Sequence, residues 1–483
     1  MNSREHIRKI ILDFENNHPV NDWYINGIMI WPYLRIRLFF SLRREFNEKK
    51  DQVLDQKKSK KKIKHNFSHI LILKTSIKYF YNFIKKTYKT FKLFLFQKNK
   101  ISSLPKKDFI FLGANSHRIN FQGHRFNRYF DTYILDNKIE NNYIFYEYDD
   151  STNEHIFKPE NIVRFNDVEK LINQSYSLKI KKNKNKLNQY DTFFDDLKSN
   201  KFTSGFSSNF EKDKIITQID YIHNLSNFFR RALKQINPEK IYILCYYSTN
   251  VFAFVHAANK LGIETIEMQH GAQTKTHLAY GSWSKVPKGG YDLIPKTFWH
   301  WNEDSSKTIK SWSNGISNIK SIVVGNPWAN YWSNKKQNYY TNNFILYSLQ
   351  PKPYTIEQLF PESIIKLIKN TKFKWFLRFH PRQNNMDNIV EFLCKKKLIN
   401  YVEIEKASND PLPVLISNCR LHITNSSGTT MEAELFKKKT ILIDEIGKIY
   451  YPEIIERGFA KCIIKTEHDF YQQAYDCIEY LSF

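Results

Sequence analysis

The sequence has few cysteines and no long run of uncharged apolar residues. Its five cysteines are scattered without a CxxC pair, which is typical of reduced thiols in a cytosolic protein rather than of a disulfide framework. Only 241–259 is free of Asp, Glu, Lys and Arg over the roughly 18 residues that a membrane span needs. Because this window contains YYSTN and His256, we expect strand, turn and helix there. The N-terminus carries acids and no small-residue cleavage site, so we expect no secretory signal.

The chain also lacks the motifs that mark several enzyme classes. It has no DxD and no HExxH, and its histidines show no metal-ligand spacing, so we expect chemistry without a metal. There is no GxSxG elbow, no GxxxxGK[ST] loop and no GxGxxG after an early strand. These absences argue against serine hydrolases, P-loop enzymes and nicotinamide-binding domains. We therefore expect no cofactor.

What the chain does have is core material and positive charge. It has 483 residues, of which 41% are hydrophobic and 16% aromatic, which is enough for two to four domains at roughly 150 residues each. Lys and Arg number 74 against 48 Asp and Glu, so the net charge is 74 − 48 = +26. Sixteen of the lysines fall between Asp55 and Asp108, a stretch with no acidic residue.

In this basic stretch, apolar residues from Ile70 to Leu95 recur at steps of three and four, a spacing that predicts an amphipathic helix. A membrane-surface helix would place its aromatics at the acyl boundary and its lysines on anionic lipid. A nucleic-acid arm would use the same lysines on phosphates, and a solvated insertion would use them for nothing specific. We favour peripheral contact with an anionic membrane through residues 57–100. We expect no nucleic-acid partner, because the chain shows no recognition motif.

The remaining sequence predicts four segments. An N-terminal helical segment covers 1–56, and the basic amphipathic insertion covers 57–107. An N-terminal Rossmann-like acceptor domain follows at 108–325, and a C-terminal Rossmann-like donor domain at 326–483. In the first segment, Pro32 opens a helix whose polar side chains we expect to stay solvated or to bind an anion. These side chains are Arg35, Arg37, Arg43 and Arg44.

From residue 108 onward, apolar runs alternate with helical patterns. Continuous apolar strands separated by helices indicate parallel sheets covered on both faces. The sequence therefore predicts an α/β fold with two doubly wound, Rossmann-like domains facing a cleft, the GT-B type. The predicted strands begin at Phe109, Ile134, Tyr143, Lys240, Ile263, Ser321, Phe344, Phe373, Leu421 and Thr440. In such folds ligands bind at the carboxyl ends of the strands.

The motif TNSSGTTMEAE, at 424–434, follows one of these strands. Small hydroxylic residues at a helix N-terminus can bind an anion through free amides and hydroxyls, which makes Ser426, Ser427 and Thr429 candidate phosphate ligands. Glu432 or Glu434 could accept hydrogen bonds from a ribose diol. The alternative is that Ser426 or Ser427 only caps an ordinary helix.

The motif RFHPR, at 378–382, ends another strand. Pro381 restricts the residue before it to an extended conformation, so His380 is held at the strand end with Arg378 and Arg382 on either side. A histidine there can donate to a phosphate oxygen or protonate a leaving group. The alternative is a structural histidine.

Two further places carry histidines. In QHG, at 269–271, His270 follows a buried strand and could be a general base, an acceptor contact or a turn residue before a glycine. The loop SHRINFQGHRFNRYFD, at 116–131, offers His117, Arg118, His124, Arg125 and Arg128 to an anionic ligand, although a solvated loop has the same composition.

Together, the HP dipeptide, the SS motif with a following Glu, QHG and GNPW resemble bacterial GT-B glycosyltransferases that use CMP-activated acidic sugars. These include the sialyltransferases and the Kdo transferases of capsule and lipopolysaccharide assembly. The shared motifs are short and fall within residues 240 to 460. Teichoic-acid glycerophosphotransferases, which use CDP-glycerol, resemble the chain through the same HP and SS features.

The resemblance implies roles for individual residues. His380 would contact the donor phosphate and assist departure of the nucleotide, with Arg378 and Arg382 beside it. Ser426, Ser427 and Thr429 would hold that phosphate, and Glu432 would bind the ribose. The family's acidic base motif is absent, so we assign the base to His270, with Asp292 as another possibility. The acceptor would meet His117, Arg118 and Arg125.

Three functions follow as hypotheses. The first is a cytoplasmic glycosyltransferase, peripheral at the inner membrane face, that transfers a CMP-linked acidic sugar to a glycan or lipid-linked acceptor of a surface polysaccharide. The second is a polyol-phosphate transferase with a CDP-activated donor. The third is a protein that binds an acidic glycan without chemistry.

Overall fold

The structure is a computed structural model that describes residues 3–52, 95–149, 155–176, 185–316, 318–333, 343–351, 354–380, 383 and 385–481. It consists of two α/β domains, each built on a parallel sheet, with a helical N-terminal segment packed on the first. The two doubly wound, Rossmann-like domains that the sequence predicts, facing each other in the GT-B arrangement, are confirmed.

The first half of the chain forms the N-terminal segment and the N-terminal domain. Its helices are α1 (Ser3–Asn17), α2 (Trp31–Gln52), α3 (95–102), α4 (Phe130–Asp136), α5 (Asn166–Tyr176), α6 (Tyr190–Ser199), α7 (Lys212–Ile236), α8 (Thr249–Lys260) and α9 (Glu303–Ser313). Its strands are β1 (Trp23–Ile25), β2 (Ile28–Met29), β3 (Phe109–Gly113), β4 (Arg118–Phe121), β5 (His124–Asn127), β6 (Tyr143–Glu147), β7 (Ile162–Val163), β8 (Lys186–Leu187), β9 (Lys240–Ile243), β10 (Glu264–Met268), β11 (Thr297–His300) and β12 (Lys320–Val323).

The large sheet of this domain has the order β12-β11-β10-β9-β3-β6-β7, and every neighbouring pair is parallel. The strands at its centre are continuous apolar runs because helices cover both faces. Long amphipathic α7 and α8 cover one face, and their buried side chains join those of β3, β6 and β9 in one core. The window 241–259 is indeed β9, a turn and α8.

The N-terminal segment shares this core, since buried residues from Ile7 to Leu42 belong to the same cluster as the sheet. The prediction that Arg35 is solvated or binds an anion is wrong. Its guanidinium is fully buried, lies 3.5 Å from the Glu15 carboxylate and stacks on Trp283 at 4.1 Å. It also donates to the carbonyls of Gly281 at 3.2 Å and Ser282 at 2.6 Å. Arg35 therefore fastens α2 to the loop that follows β10.

The second half forms the C-terminal domain. Its helices are α10 (Pro327–Ser333), α11 (Ile356–Leu359), α12 (Glu362–Asn370), α13 (Met386–Lys395), α14 (Glu405–Asn409), α15 (Leu412–Asn418), α16 (Thr429–Leu435), α17 (Ile446–Tyr450), α18 (Pro452–Glu456) and α19 (Phe470–Tyr480). Its strands are β13 (Phe344–Ser348), β14 (Lys374–Arg378), β15 (Val402–Glu403), β16 (Leu421–Thr424), β17 (Thr440–Leu442) and β18 (Ala460–Cys462). They form one parallel sheet of order β15-β14-β13-β16-β17-β18.

Two local predictions differ from the structure. The strand predicted at Ile134 is helix α4, because Phe130 and Ile134, one helical turn apart, are both buried while Leu135 is 42% exposed. The polar loop predicted before it contains an antiparallel hairpin, β4–β5, in which Arg118 pairs with Asn127.

The basic insertion falls mostly outside the described residues. Its described end, α3 and the turn after it, packs on the N-terminal domain: Gln97 and Leu104 are buried, and Phe96 contacts the core. No helix among the described residues is long and apolar enough to cross a membrane.

Candidate functional site

Each sheet changes winding direction at one point. In the N-terminal domain the chain leaves β3 for β6 and later returns to the other side at β9, so the switch lies between β3 and β9. In the C-terminal domain it lies between β13 and β16. Ligands of doubly wound sheets bind outside the carboxyl ends of the strands at such switches. Residues from the carboxyl ends of both sheets line two cavities between the domains, which we call lobes A and B.

Lobe A, about 740 Å³, is lined by cationic and aromatic side chains. The N-terminal domain contributes the β4–β5 hairpin and the residue after it, and the C-terminal domain contributes the end of β14 and the loop from α14 to α15. The lining residues that matter below are Arg118, Arg125, Arg128, Trp328, Arg378, His380 and Asp410. Trp328 comes from the crossover helix α10 and packs edge-on against Phe121 of the hairpin, with ring centroids 5.2 Å apart.

Lobe B, about 440 Å³, lies on the other side of His380, which lines both lobes. Its N-terminal wall comes from α1, α2 and the loop after β10, and its C-terminal wall from the loop after β16 and from α17. The lining residues used below are Arg4, Arg43, His270, His277, His380, Ser426, Ser427 and Tyr450. None of the described residues that line this lobe is acidic.

The Glu432 carboxyl interacts with charged side chains of both domains. Its side chain is 5% exposed, and burial raises the pKa of its carboxyl, while the charges of Arg128 and Arg378 act in the opposite direction. Burial lowers the pKa of Arg378 to about 10, and Arg128 adds to that shift. Arg128 belongs to the N-terminal domain and Glu432 to the C-terminal domain, so this cluster spans the cleft beside lobe A.

Arg378 is also tied within its own domain. Its Nη1 donates to the carbonyl oxygens of Ala407 and Asp410, both at 2.7 Å. These bonds fix the end of β14 to the loop that forms one wall of lobe A. Arg378 thus shapes the cavity as well as contributing its charge. Arg382 lies outside the described residues, and its role stays a prediction.

His270 has a buried carboxyl behind it. Its Nδ1 lies 3.8 Å from Oε1 of Glu267 and has no hydrogen-bond partner among the described residues. Burial lowers the pKa of His270 to about 4, so the imidazole is neutral at physiological pH and able to accept a proton. Burial raises the pKa of Glu267 to about 8. A proton taken up by His270 would favour ionisation of the neighbouring Glu267 carboxyl, because opposite charges stabilise each other.

Glu267 itself is held by donors from the N-terminal domain. The Tyr280 hydroxyl donates to its Oε1 at 2.7 Å, and the backbone N–H of Tyr246 donates to its Oε2 at 3.2 Å. Sequence reasoning missed Glu267. The signal was present, because in ETIEMQH the carboxyl at 267 precedes the histidine by three residues at the end of a strand.

The loop from Asn425 to Thr429 is strongly organised. The amide of Ser426 donates to Gln350 Oε1 at 2.7 Å across the switch point, and the Ser427 hydroxyl accepts from the amide of Thr429 at 3.3 Å. The Thr429 hydroxyl bonds to buried His422 at 3.3 Å. The N-cap position of α16 is Gly428, without a side-chain cap, so neither serine caps the helix, and Ser426 and Ser427 line lobe B. Since α16 has only seven residues, its dipole is a minor contribution.

The three predicted acceptor residues occupy different surroundings. Arg118 is 5% exposed and its Nε donates to Glu147 at 2.6 Å, with Asp131 at 3.4 Å from its Nη1. Arg125 is anchored to Asn115 Oδ1 at 3.1 Å at the edge of lobe A. Their role in acceptor binding stays a prediction.

His117, the third of them, lies next to His270. The two rings meet edge to face, with centroids 5.6 Å apart. Burial lowers the pKa of His117 to about 3, and its Nδ1 accepts from the amide of Ala114 at 3.3 Å. His117 therefore packs behind the proposed base. Asp292 lies far from this point, because it pairs with Lys260 at the carboxyl end of α8, where the chain enters β10 from its amino end.

Comparison with known proteins gives distant structural neighbours. In sequence, the chain matches no protein-family model and no curated protein. Among solved structures, the UDP-GlcNAc 2-epimerase from Methanocaldococcus jannaschii covers 77% of this chain and 92% of its own length, at 13% identity and a TM-score of 0.45.

The S. aureus MnaA–UDP structure covers 77% of this chain and 88% of its own, at 14% identity and a TM-score of 0.43. The structure of Medicago truncatula UGT71G1 with UDP-glucose covers 78% of this chain and 91% of its own length, at 8% identity and a TM-score of 0.40. At these values the fold assignment rests on the sheet topology itself.

Proposed function

We propose that this chain is a glycosyltransferase that takes a nucleotide-activated sugar in the cleft between its domains and transfers the sugar to a glycan or lipid-linked acceptor. The observation that carries the proposal is the meeting of His270 and His380 in one lobe, one from each domain, directly beside the Arg128–Glu432–Arg378 cluster. A donor phosphate and an acceptor hydroxyl need such opposed groups.

Lobe A suits the nucleotide. Its wall at Ser408–Leu412 belongs to the C-terminal domain. Glu432, which interacts electrostatically with the lining residues Arg128 and Arg378, would accept hydrogen bonds from a ribose diol. Arg128 and Arg378 supply positive charge for the phosphate that joins nucleotide and sugar. We assign the CMP-linked acidic sugar as donor from the motif resemblance, and a surface polysaccharide as the product.

Lobe B suits the reacting groups. As the bond between anomeric carbon and phosphate breaks, negative charge grows on the leaving oxygen, and donors aimed at that charge are usually the largest catalytic contribution. His380, which lines both lobes, would donate to this oxygen, and Ser426 and Ser427 would flank the sugar. His270 would accept the proton of the attacking hydroxyl, an effect of about 10²–10⁴-fold.

Nucleotide binding is the direct test. CMP and CDP are expected to raise the thermal midpoint of the wild-type protein by mass action, and UDP and GDP to do so less. Glu432→Gln should weaken nucleotide binding about tenfold or more, since the ribose hydrogen bonds lose their charged acceptor. Glu434→Gln is the matched control on the same helix, because Glu434 lines neither lobe and pairs with Arg457 at 2.6 Å, which Asp304 of the N-terminal domain also holds at 2.7 Å.

The product then identifies the reaction. With an active donor, His380→Ala should retain nucleotide binding and lose transfer. A new glycosidic bond without phosphorus supports the proposal, whereas a new phosphodiester identifies a polyol-phosphate transferase. Stabilisation by UDP or GDP alone overturns the cytidine assignment, and glycan affinity without turnover of any donor overturns the enzyme.

We further propose that residues 57–100 hold the protein on anionic membrane at the cytoplasmic face. The variant to use replaces Lys57, Lys58, Lys60, Lys61, Lys62 and Lys64 by Gln. This keeps Phe96 and Gln97, which pack on the N-terminal domain. At about 1 kcal/mol per lysine near the surface, the variant should stay in the supernatant when phosphatidylserine vesicles are sedimented. Sedimentation equal to that of the wild type would contradict the tether.

A further inference from the structure

Lobe B contains two cations that the proposed chemistry does not use. Arg4 from α1 and Arg43 from α2 both line this lobe, in the same cavity as His270 and His380. They belong to the N-terminal helical segment, outside both Rossmann-like domains. Because its side chains line the cleft between the domains, the N-terminal helical segment is part of the site.

Aromatic rings orient both guanidinium groups. Arg4 lies over the ring of Tyr450 at 4.9 Å from its centroid. Arg43 lies over Phe39 at 5.5 Å and over Phe40 at 5.8 Å. Both groups are cations that line the cavity, and a guanidinium recognises the oxygens of a carboxylate or a phosphate.

The charges of both arginines act across the lobe. Burial lowers the pKa of His277 well below its ordinary value, and Arg4 and Arg43 act in the same direction. Burial raises the pKa of Tyr450 on the opposite wall, while the same two arginines oppose that shift. Asp444 adds to the rise in the pKa of Tyr450 and accepts a hydrogen bond from Tyr354 at 3.1 Å. The described lining residues themselves include Arg4 and Arg43 and no acidic side chain, a composition that attracts anionic ligands.

The segment that carries these arginines is rigidly attached. The buried Arg35–Glu15 pair joins α1 and α2 to each other and to the loop after β10. The Glu15 carboxylate also accepts from the indole N–H of Trp31 at 3.0 Å and from the amide of Ser284 at 3.3 Å. These contacts tie α1 and α2, which carry Arg4 and Arg43, to the same loop that presents His270.

We propose that Arg4 and Arg43 bind an oxyanion carried by the acceptor, so that the acceptor is an acidic sugar whose attacking hydroxyl then lies beside His270. The oxyanion is a carboxylate or a phosphate ester, since a guanidinium recognises both. A cavity of about 440 Å³ is within the usual range for a small-molecule site. The assignment of the anion to the acceptor rests on the proposed function, whereas the anion site itself does not.

The test is saturation-transfer NMR on the full-length protein with three probes: methyl glucuronide, glucose 6-phosphate and methyl glucoside. At least one anionic probe should bind, and the neutral glucoside should bind more weakly. Arg4→Gln and Arg43→Gln should each weaken that probe about 10- to 100-fold, the loss expected for a charged hydrogen bond. Whichever anionic probe binds identifies the oxyanion as carboxylate or phosphate.

The control variants are Lys9→Gln on α1 and Arg44→Gln on α2, which remove the same charge from exposed positions of the same helices. Both should bind the probe like the wild type. Equal loss in the controls, equal binding of the neutral glucoside, or no binding of either anionic probe would overturn the proposal.

Nucleotide-induced stabilisation separates this inference from the proposed function. It should be the same in Arg43→Gln as in the wild type. If Arg43→Gln loses nucleotide instead of sugar probe, the two arginines serve the donor and the acceptor assignment is wrong. If no nucleotide stabilises the wild type while the probe still binds, the glycosyltransferase proposal fails and the anion site stands.

Discussion

Lobes A and B are both cationic, but the protein handles buried charge differently behind each. Behind lobe A, Arg118 is paired with Glu147 at 2.6 Å and with Asp131 at 3.4 Å, so charge is balanced by opposite charge. Behind lobe B, burial favours the uncharged forms of Glu267, His270 and His277, and the charges of nearby arginines act in the same direction on the two histidines. We call the wall of lobe A the ionic wall, because it contains ion pairs. We call the wall of lobe B the protonatable wall, because its groups can gain or lose a proton.

This difference matches what each lobe is proposed to do. A wall built on ion pairs such as Arg118–Glu147 suits a cavity that binds, and within it burial raises the pKa of Asp131 to about 7. A wall of groups with shifted pKa values can gain or lose a proton, which general acid–base chemistry requires. The comparison therefore supports the proposed assignment of proton transfer to lobe B, where His270 and His380 lie, and of nucleotide binding to lobe A.

The largest effect expected is on the ionic wall. Arg118→Met should lower the free energy of unfolding by about 3 kcal/mol, near the lower end for breaking a buried pair, because Glu147 keeps Arg164 at 2.6 Å. Chemical denaturation measures this, with Arg125→Met as the control, since Arg125 is only partly buried and should cost 1 kcal/mol or less. Similar losses in both variants would show that lobe A is not built on a buried ionic network.

The architecture could be predicted from the sequence because buried parallel strands have continuous apolar sequences. β3, β6, β9, β13 and β16 were all found in this way. β11 was missed, because TFWH is short and follows a long loop, and α4 was predicted as a strand because its apolar stretch is too short to show a helical period. The local sequence pattern does not distinguish a short helix from a short strand, because packing against the rest of the domain decides which of them forms.

The site was predicted less completely, since its parts meet only through the fold. His270 and His380, 110 positions apart in the sequence, line one lobe, as the positions after two strands suggested. Arg35 and Arg43 share a helix and a residue type, yet one is buried with Glu15 and the other lines the cleft. Nothing in the helix sequence distinguishes them, because the loop after β10 decides which face is covered.

The protonatable wall predicts a smaller, pH-dependent effect. Burial holds the pKa of Glu267 at about 8, above its ordinary value of 4.5, so the native state binds a proton that the unfolded state releases between these values. The stability contributed by protonated Glu267 is therefore complete below about pH 4.5 and is lost as the pH rises through 8. His270, with a pKa lowered from 6.5 to about 4, has the opposite slope between pH 4 and 6.5.

Above pH 6.5 the histidine contribution is level and that of Glu267 remains. Wild-type stability should then fall between pH 6.5 and 8, with Glu267 contributing about 1 kcal/mol per pH unit, whereas Glu267→Gln should fall less steeply, since Asp131, whose pKa burial raises to about 7, titrates in both proteins. Thermal or urea unfolding of both proteins from pH 5 to 9 measures the difference, in which titrations common to both cancel. Parallel curves above pH 6.5 would mean that Glu267 is ionised in the native protein, and the contrast between an ionic and a protonatable wall would disappear.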